Sequence, residues 1–159
     1  MNENNDNIDP FHLPAPRQRI PGSRRKRENI AQQIKKANEE RGIMTEKKFF
    51  DVFLRYLQGK ERQQLLPWWF YGVERATPHH DKKGADAFVL TDIGKIPVQI
   101  KSSMAGAKQF LNKQCHEGIV IIVIHKGISD GRILSKTRSF VSKFRQEVMS
   151  GSRKCKEFE

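Results

Sequence analysis

GADAFVLTDIGKIPVQIKSS, residues 84–103, reads as two short strands joined by a tight turn at Asp92-Ile93-Gly94. Side chains alternate between the two faces of a strand. In the first strand Asp86, Phe88 and Leu90 share one face, and Ala87 and Val89 share the other. In the second, Val98 and Ile100 point one way, Gln99 and Lys101 the other. Antiparallel pairing brings Asp86, Gln99 and Lys101 to one end of one sheet face. A carboxylate, an amide oxygen and an ammonium gathered there suit a hard cation and an anionic transition state. The plainer alternative is a solvated hairpin with ordinary polar residues.

Upstream, Thr45 is a good N-cap, Glu46 falls in a first helical turn and Gly59 is a natural stop, which predicts a helix over 45–58. Phe49, Phe50, Phe53 and Leu57, with Val52 and Tyr56 beside them, give it a broad apolar face. Glu46 lies on that face, either as a simple complement to the helix dipole or as a functional group. Lys60–Pro67 is expected to be a turn or short helix. Trp68–Ala76 is aromatic and β-prone and reads as a strand, with Trp68 and Trp69 expected in the core and Gly72 marking a bulge or close packing. Thr77–Lys83 is expected to be a polar loop. His79, His80 and Asp81 there invite a metal reading, but no further cluster with ligand spacing occurs, so an ordinary polar loop is the better expectation, and a loop lying over the substrate a narrower one. Asp81 itself is set aside as too far into the loop to join Asp86.

Downstream, Ser102 and Ser103 lead into a short helix to about Gln114. Gly118–His125 is a run of Ile and Val, expected as a central strand covered on both faces and parallel to the strand before the helix. Arg132–Leu134 is a possible edge strand. A last helix starts at Ser135 or Ser139, with Phe140, Val141, Phe144 and Val148 inward and Gly151 as its stop. At the other end, residues 1–22 hold Pro10, Pro14, Pro16 and Pro21 and are expected to be an irregular arm. A thin helix over 23–42, with Ile30, Ile34 and Ala37 as its apolar stripe, is expected to stop at Gly42. The domain reading is therefore a flexible arm 1–22, a peripheral helix 23–42, a folded domain 43–150 and a tail 151–159.

From Thr45 the order is helix, strand, strand, strand, helix, strand. An Asp heading one strand, then an acidic or amide residue, one apolar residue and a Lys in the next, is matched by Asp86 and Gln99-Ile100-Lys101. Order and motif together resemble the PD-(D/E)xK nuclease superfamily, over roughly residues 43–125. The resemblance implies the restriction-endonuclease-like fold, a three-layer α/β/α sandwich with a mixed central sheet and an αβββαβ core. It implies Mg²⁺, with Mn²⁺ as a substitute, held by Asp86, the Gln99 oxygen, the Ile100 carbonyl and Glu46. It implies Lys101 as the group that orients water or stabilises charge on the phosphate. The family pattern has Asp or Glu where this chain has Gln99. An amide ligates through a neutral oxygen, so the site carries one negative charge fewer and Glu46 gains importance. The activity implied is metal-dependent endonucleolytic cleavage of DNA, structure-selective or loosely sequence-selective. The alternatives are a non-catalytic nucleic-acid-binding module on the same fold, or a small basic domain unrelated to nucleases.

The 159 residues carry a formal net charge of +12. The excess is spread along the chain, with 9 basic against 6 acidic residues over 1–42, 12 against 8 over 43–125 and 9 against 4 over 126–159. A chain positive throughout favours a polyanionic partner, nucleic acid being the common case. Arg17, Arg19, Arg24, Arg25, Lys26 and Arg27 suit a phosphate backbone, or else form a solvated tail. His79, His80, Lys82, Lys83 and Ser103 flank the candidate site as further nucleic-acid contacts. A homodimer fits the need to cut two strands. No apolar run is long enough to span a bilayer, Met1–Pro10 is too polar for a signal peptide, and Cys115 and Cys155 suggest no disulfide framework, so a cytoplasmic location is expected.

Overall fold

The stretch that opens this account is a hairpin in the structure, a computed structural model that describes residues 23–59, 66–113 and 117–155. Strand β2 (Ala87–Thr91) pairs antiparallel with β3 (Gly94–Lys101), with Ala87 opposite Val98 and Thr91 opposite Gly94. Gly94 takes φ +107°, a backbone conformation that a side chain disfavours, and this closes the turn after Asp92 and Ile93. On the far side of β2 lies β1 (Phe70–Arg75), also antiparallel, with a register shift between Phe70 and Gly72 where a bulge was expected. Strand β4 (Val120–Val123) pairs parallel with β3, giving a four-stranded mixed sheet in the order β1-β2-β3-β4. The fold is thus mixed α/β.

The remaining elements are helices: α1 (Ser23–Gln58), α2 (Pro78–Lys82), α3 (Met104–Leu111) and α4 (Asp130–Met149). The chain divides into two compact units, Met1–Lys36 and Ala37–Glu159. In the first, the described side chains from Lys26 to Lys36 are all exposed, Ile30 and Ile34 included. In the second, a core forms from the apolar faces that periodicity marks. Phe49, Val52 and Phe53 of α1 are fully buried, and the Phe53 ring stacks on Phe70 of β1 at 5.4 Å. Val89, Ile96, Val98 and Ile122 come from the sheet, and Ile133, Val141 and Phe144 from α4. Each such side chain contributes about 1.5–3 kcal/mol by leaving water.

Several local expectations are corrected. Gly42 does not stop a helix, because α1 runs through it, and Gly42 is not among the glycines with positive φ. A mid-helix glycine costs about 1 kcal/mol against alanine and ends a helix only when the chain turns left-handed there. Thr45 is therefore no N-cap, and its hydroxyl donates back to the Arg41 carbonyl at 2.7 Å. Gly59, by contrast, follows the last helical residue as expected. Thr77–Lys83 is not a plain loop, since Pro78–Lys82 forms α2 with Thr77 as its cap, accepting from the His80 N–H.

Strand β4 lies at an edge of the sheet rather than in its centre, and its residues alternate between buried and half-buried. Arg132–Leu134 is helical, because α4 starts at Asp130, five residues before the earliest expected serine. Phe140 of α4 is half exposed, and Ile133, Leu134 and Thr137 take the inward positions with Val141 and Phe144. Trp69 is buried, but Trp68 is 76% exposed. The expectations for the arm over 1–22, and for residues 60–65 of the Lys60–Pro67 segment, lie outside the described residues.

Candidate functional site

Asp86 stands one residue before β2, at the end of the hairpin away from its turn. Its backbone is fixed on both sides. Its N–H donates to the Val98 carbonyl at 2.9 Å, and its carbonyl accepts from the Ala76 N–H at 3.1 Å. The pairing of Ala87 with Val98 places Asp86 opposite Gln99 on one face. The Gln99 amide, buried at 4% exposure, donates to Asp86 Oδ2. The same oxygen accepts from the Ile100 N–H at 2.6 Å. A strand residue turns its N–H and C=O to the same side. The Ile100 carbonyl therefore faces the edge where Asp86 sits.

What brings the chain into this position is local. Gly84 adopts φ +94°, and a Cβ there would meet the Phe110 ring at 3.1 Å, so only glycine fits between α2 and Ala85. The N–H groups of Gly84 and Ala85 fold back onto the carbonyls of Asp81 and His80 at 2.9 and 3.1 Å. This return turns Asp81 toward the site. Asp81 lines the same pocket of about 530 Å³ as Glu46, Asp86, Gln99 and Lys101. Glu46 comes from α1, two strand-end residues from β3, and Lys101 closes β3 with its ammonium 5.2 Å from the centroid of the Phe110 ring.

The electrostatics follow first from burial and then from the crowding of three carboxylates. Burial pushes Asp86 up to about 7, against the lowering effect of the Ile100 N–H and the Lys101 charge, while Glu46 and Asp81 add repulsion. Burial also raises Glu46, with Asp81 adding to it and Arg75 and Lys101 opposing. Both carboxyl groups thus hold protons more tightly than in water.

Of the residues expected at the site, Glu46, Asp86, Gln99, Ile100 and Lys101 meet at this pocket, and Lys82 and Lys83 lie on its rim. His79 and His80 do not line it. His80 packs edge-on against Phe88 at 5.1 Å. Ser103 caps α3, accepting from the Gly106 N–H at 3.1 Å. Arg24, Arg25, Lys26 and Arg27 fall in the first turns of α1, and Arg17 and Arg19 lie outside the described residues. Asp81, set aside from the sequence, belongs to the pocket. The Thr77-Pro78 pair is the signal that was there to be read, since Thr as N-cap and Pro at the first helical position announce the turn of helix that carries Asp81 inward.

Among the described residues no group of three or more His, Cys, Asp or Glu is arranged to hold a metal ion. The Gln99 amide and the Ile100 carbonyl are further oxygen donors at the same spot. No helix among the described residues is long and apolar enough to cross a membrane. No protein-family model, curated protein or solved structure matches the chain.

Proposed function

We propose that the chain is a metal-dependent endonuclease that hydrolyses phosphodiester bonds of DNA, on the three-layer PD-(D/E)xK core that its sequence resembles. One observation carries the reading. Asp86, Gln99 and Lys101 from neighbouring strand ends, and Glu46 from a helix, line a single pocket. Burial raises the proton affinity of Asp86 and Glu46, and neighbouring carboxylates add to it, so their charged forms lack full compensation. That deficit, with oxygen donors from Gln99 and Ile100, suits a hard cation such as Mg²⁺, for which Mn²⁺ can substitute. Asp86, Gln99, Ile100 and Glu46 would hold it, with Asp81 as a further carboxylate.

The cation, when bound, supplies Lewis acidity and offsets phosphate charge. The chain's own groups do the rest. Lys101 places an ammonium where charge builds up on the phosphate in the transition state. Glu46 would help hold the cation and the water it carries. Ile100 and Gln99 hold the Asp86 carboxylate in one orientation. Lys82 and Lys83 on the rim draw the phosphate backbone toward the pocket. Cutting is structure-selective or loosely sequence-selective, in a cytoplasmic protein able to act as a homodimer.

The test is cleavage of a DNA panel with Mg²⁺ or Mn²⁺. Activity is expected to vanish with chelator and to fall about 100-fold or more in Asp86→Ala and in Lys101→Ala, with binding retained. Variants that cut as well as the parent sink the assignment. A second reading has its own observation. Gln99 donates to Asp86, so the carboxylate is satisfied in part by the chain alone. That favours a nucleic-acid-binding module that does not cut. Salt-sensitive binding with no cleavage under any divalent cation selects it.

A further inference from the structure

Trp68 is the largest exposed apolar side chain among the described residues, and it is braced. The Arg145 guanidinium of α4 lies 5.7 Å from the Trp68 ring centroid and 5.4 Å from that of Trp69. Arg145 is itself fixed. Its Nε and one terminal nitrogen donate to the two oxygens of Asp92 at 2.7 and 2.5 Å, a bidentate pair that sets the guanidinium plane. Trp69 below is buried at 8%, while Trp68 remains 76% exposed. Tyr71, 51% exposed, is close enough to act electrostatically on Arg145. An exposed indole is ordinarily free to swing. This one has a rigid cationic support behind it and solvent in front.

We propose that Trp68 is a stacking platform for an unpaired nucleobase, so that the nucleic acid this protein binds includes single-stranded or frayed segments. The ligand class follows from chemistry on the page. Every base presents a flat face that stacks on an indole, and such a contact tolerates any sequence. The chain's charge of +12 selects a polyanion over an apolar protein surface. The platform is separate from the carboxylate pocket. Asp92 follows Asp86 by six residues along one strand, which places the two ends of the hairpin about 20 Å apart. Trp68 therefore grips the strand at a distance from the pocket and takes no part in chemistry there. The inference rests on the nucleic-acid half of the proposed function, and not on cleavage.

The experiment is a binding titration of the full chain in chelator, following indole fluorescence. The chain has two tryptophans, so Trp68→Phe isolates the buried Trp69. A single-stranded thymidine oligonucleotide and a duplex of equal length are compared at one salt concentration. The single strand is expected to quench the parent protein's emission and not that of Trp68→Phe. Trp68→Ala is expected to weaken single-strand binding about 10- to 100-fold and duplex binding less than about 2-fold, with Trp68→Phe keeping most of the affinity. Asp92→Asn, which loosens the support, is expected to cause a smaller loss in the same direction. Equal losses on both ligands, or none on either, overturn the platform while leaving cleavage open. Loss of self-association in sedimentation with nucleic-acid binding unchanged also overturns it, in favour of a protein contact. A platform that binds single strands in a protein that never cleaves leaves this inference standing and removes the nuclease reading.

Discussion

Two aspartates close the two ends of one hairpin, and their environments pull them in opposite directions. Asp92, at the turn, faces a guanidinium on both oxygens and is held below the ordinary carboxylate range. Asp86, at the open end, is buried beside two other carboxylates and is pushed up to about 7. The difference lies first in burial and then in what each is paired with. At the turn, charge is matched and the contact serves to hold α4 against the β2–β3 connection. At the open end, burial strips the carboxylate of water and two neighbouring carboxylates add repulsion that Lys101 only partly offsets, so the folded chain carries a local electrostatic cost. A cost of that kind marks places where an external cation or a proton has work to do.

The largest expected effect breaks the comparison at Asp86. Its proton is held more tightly in the folded protein than in the unfolded chain, so its contribution to stability is complete below about pH 4 and falls as pH rises through 7. Asp86→Asn has no such slope. It is expected to be more stable than the parent at pH 8 by up to about 4 kcal/mol, with the gap closing toward pH 4, as read from denaturant midpoints across pH. A gap that does not depend on pH would show that Asp86 is not under strain.

Next in size is the linkage to metal. A cation bound at Asp86 has to displace its proton, so Mg²⁺ affinity is expected to rise about 10-fold per pH unit below 7 and to flatten above it. Calorimetry in the parent and in Asp86→Asn reads this directly, and a pH-independent affinity would place the cation elsewhere. A smaller effect sharpens the geometry of the same end. Gly42 lines the pocket, and a Cβ there meets nothing within 4 Å. Gly42→Ala is expected to stabilise the protein by about 1 kcal/mol through helix propensity alone, measured by urea unfolding. The smallest effect is at the turn. Asp92→Asn is expected to lower the melting temperature slightly above pH 4, with the difference fading as pH falls further through the depressed folded value, the reverse in sign of Asp86→Asn, because Asp92 stabilises the fold only while ionised.

How much of this was legible along the chain depends on the range of the interaction. The hairpin, its Gly94 turn, the Gly72 irregularity, the apolar face around Phe49 and Phe53 and the parallel pairing of β3 with β4 all follow from patterns a few residues long. The meeting of Asp86 with Gln99 is a consequence of strand parity, and it too could be read in advance. Gly42 misled because glycine tolerates a helix as well as ending one, and neighbouring turns decided between the two. Asp81 misled because a loop read as straight is a helix that doubles back. Trp68 and Phe140 misled because hydrophobicity states what a side chain prefers, not whether the core has room for it.

Alternation, glycine placement and charge are properties of neighbours in the chain, and from them came the strands, their pairing and the basic balance of the whole. Which residues ended up sharing an enclosed space was decided only when α1, α2 and β3 packed together, because desolvation and repulsion act through space. The raised proton affinity of Asp86, the recruitment of Asp81 and the bracing of Trp68 by Arg145 belong to that second kind.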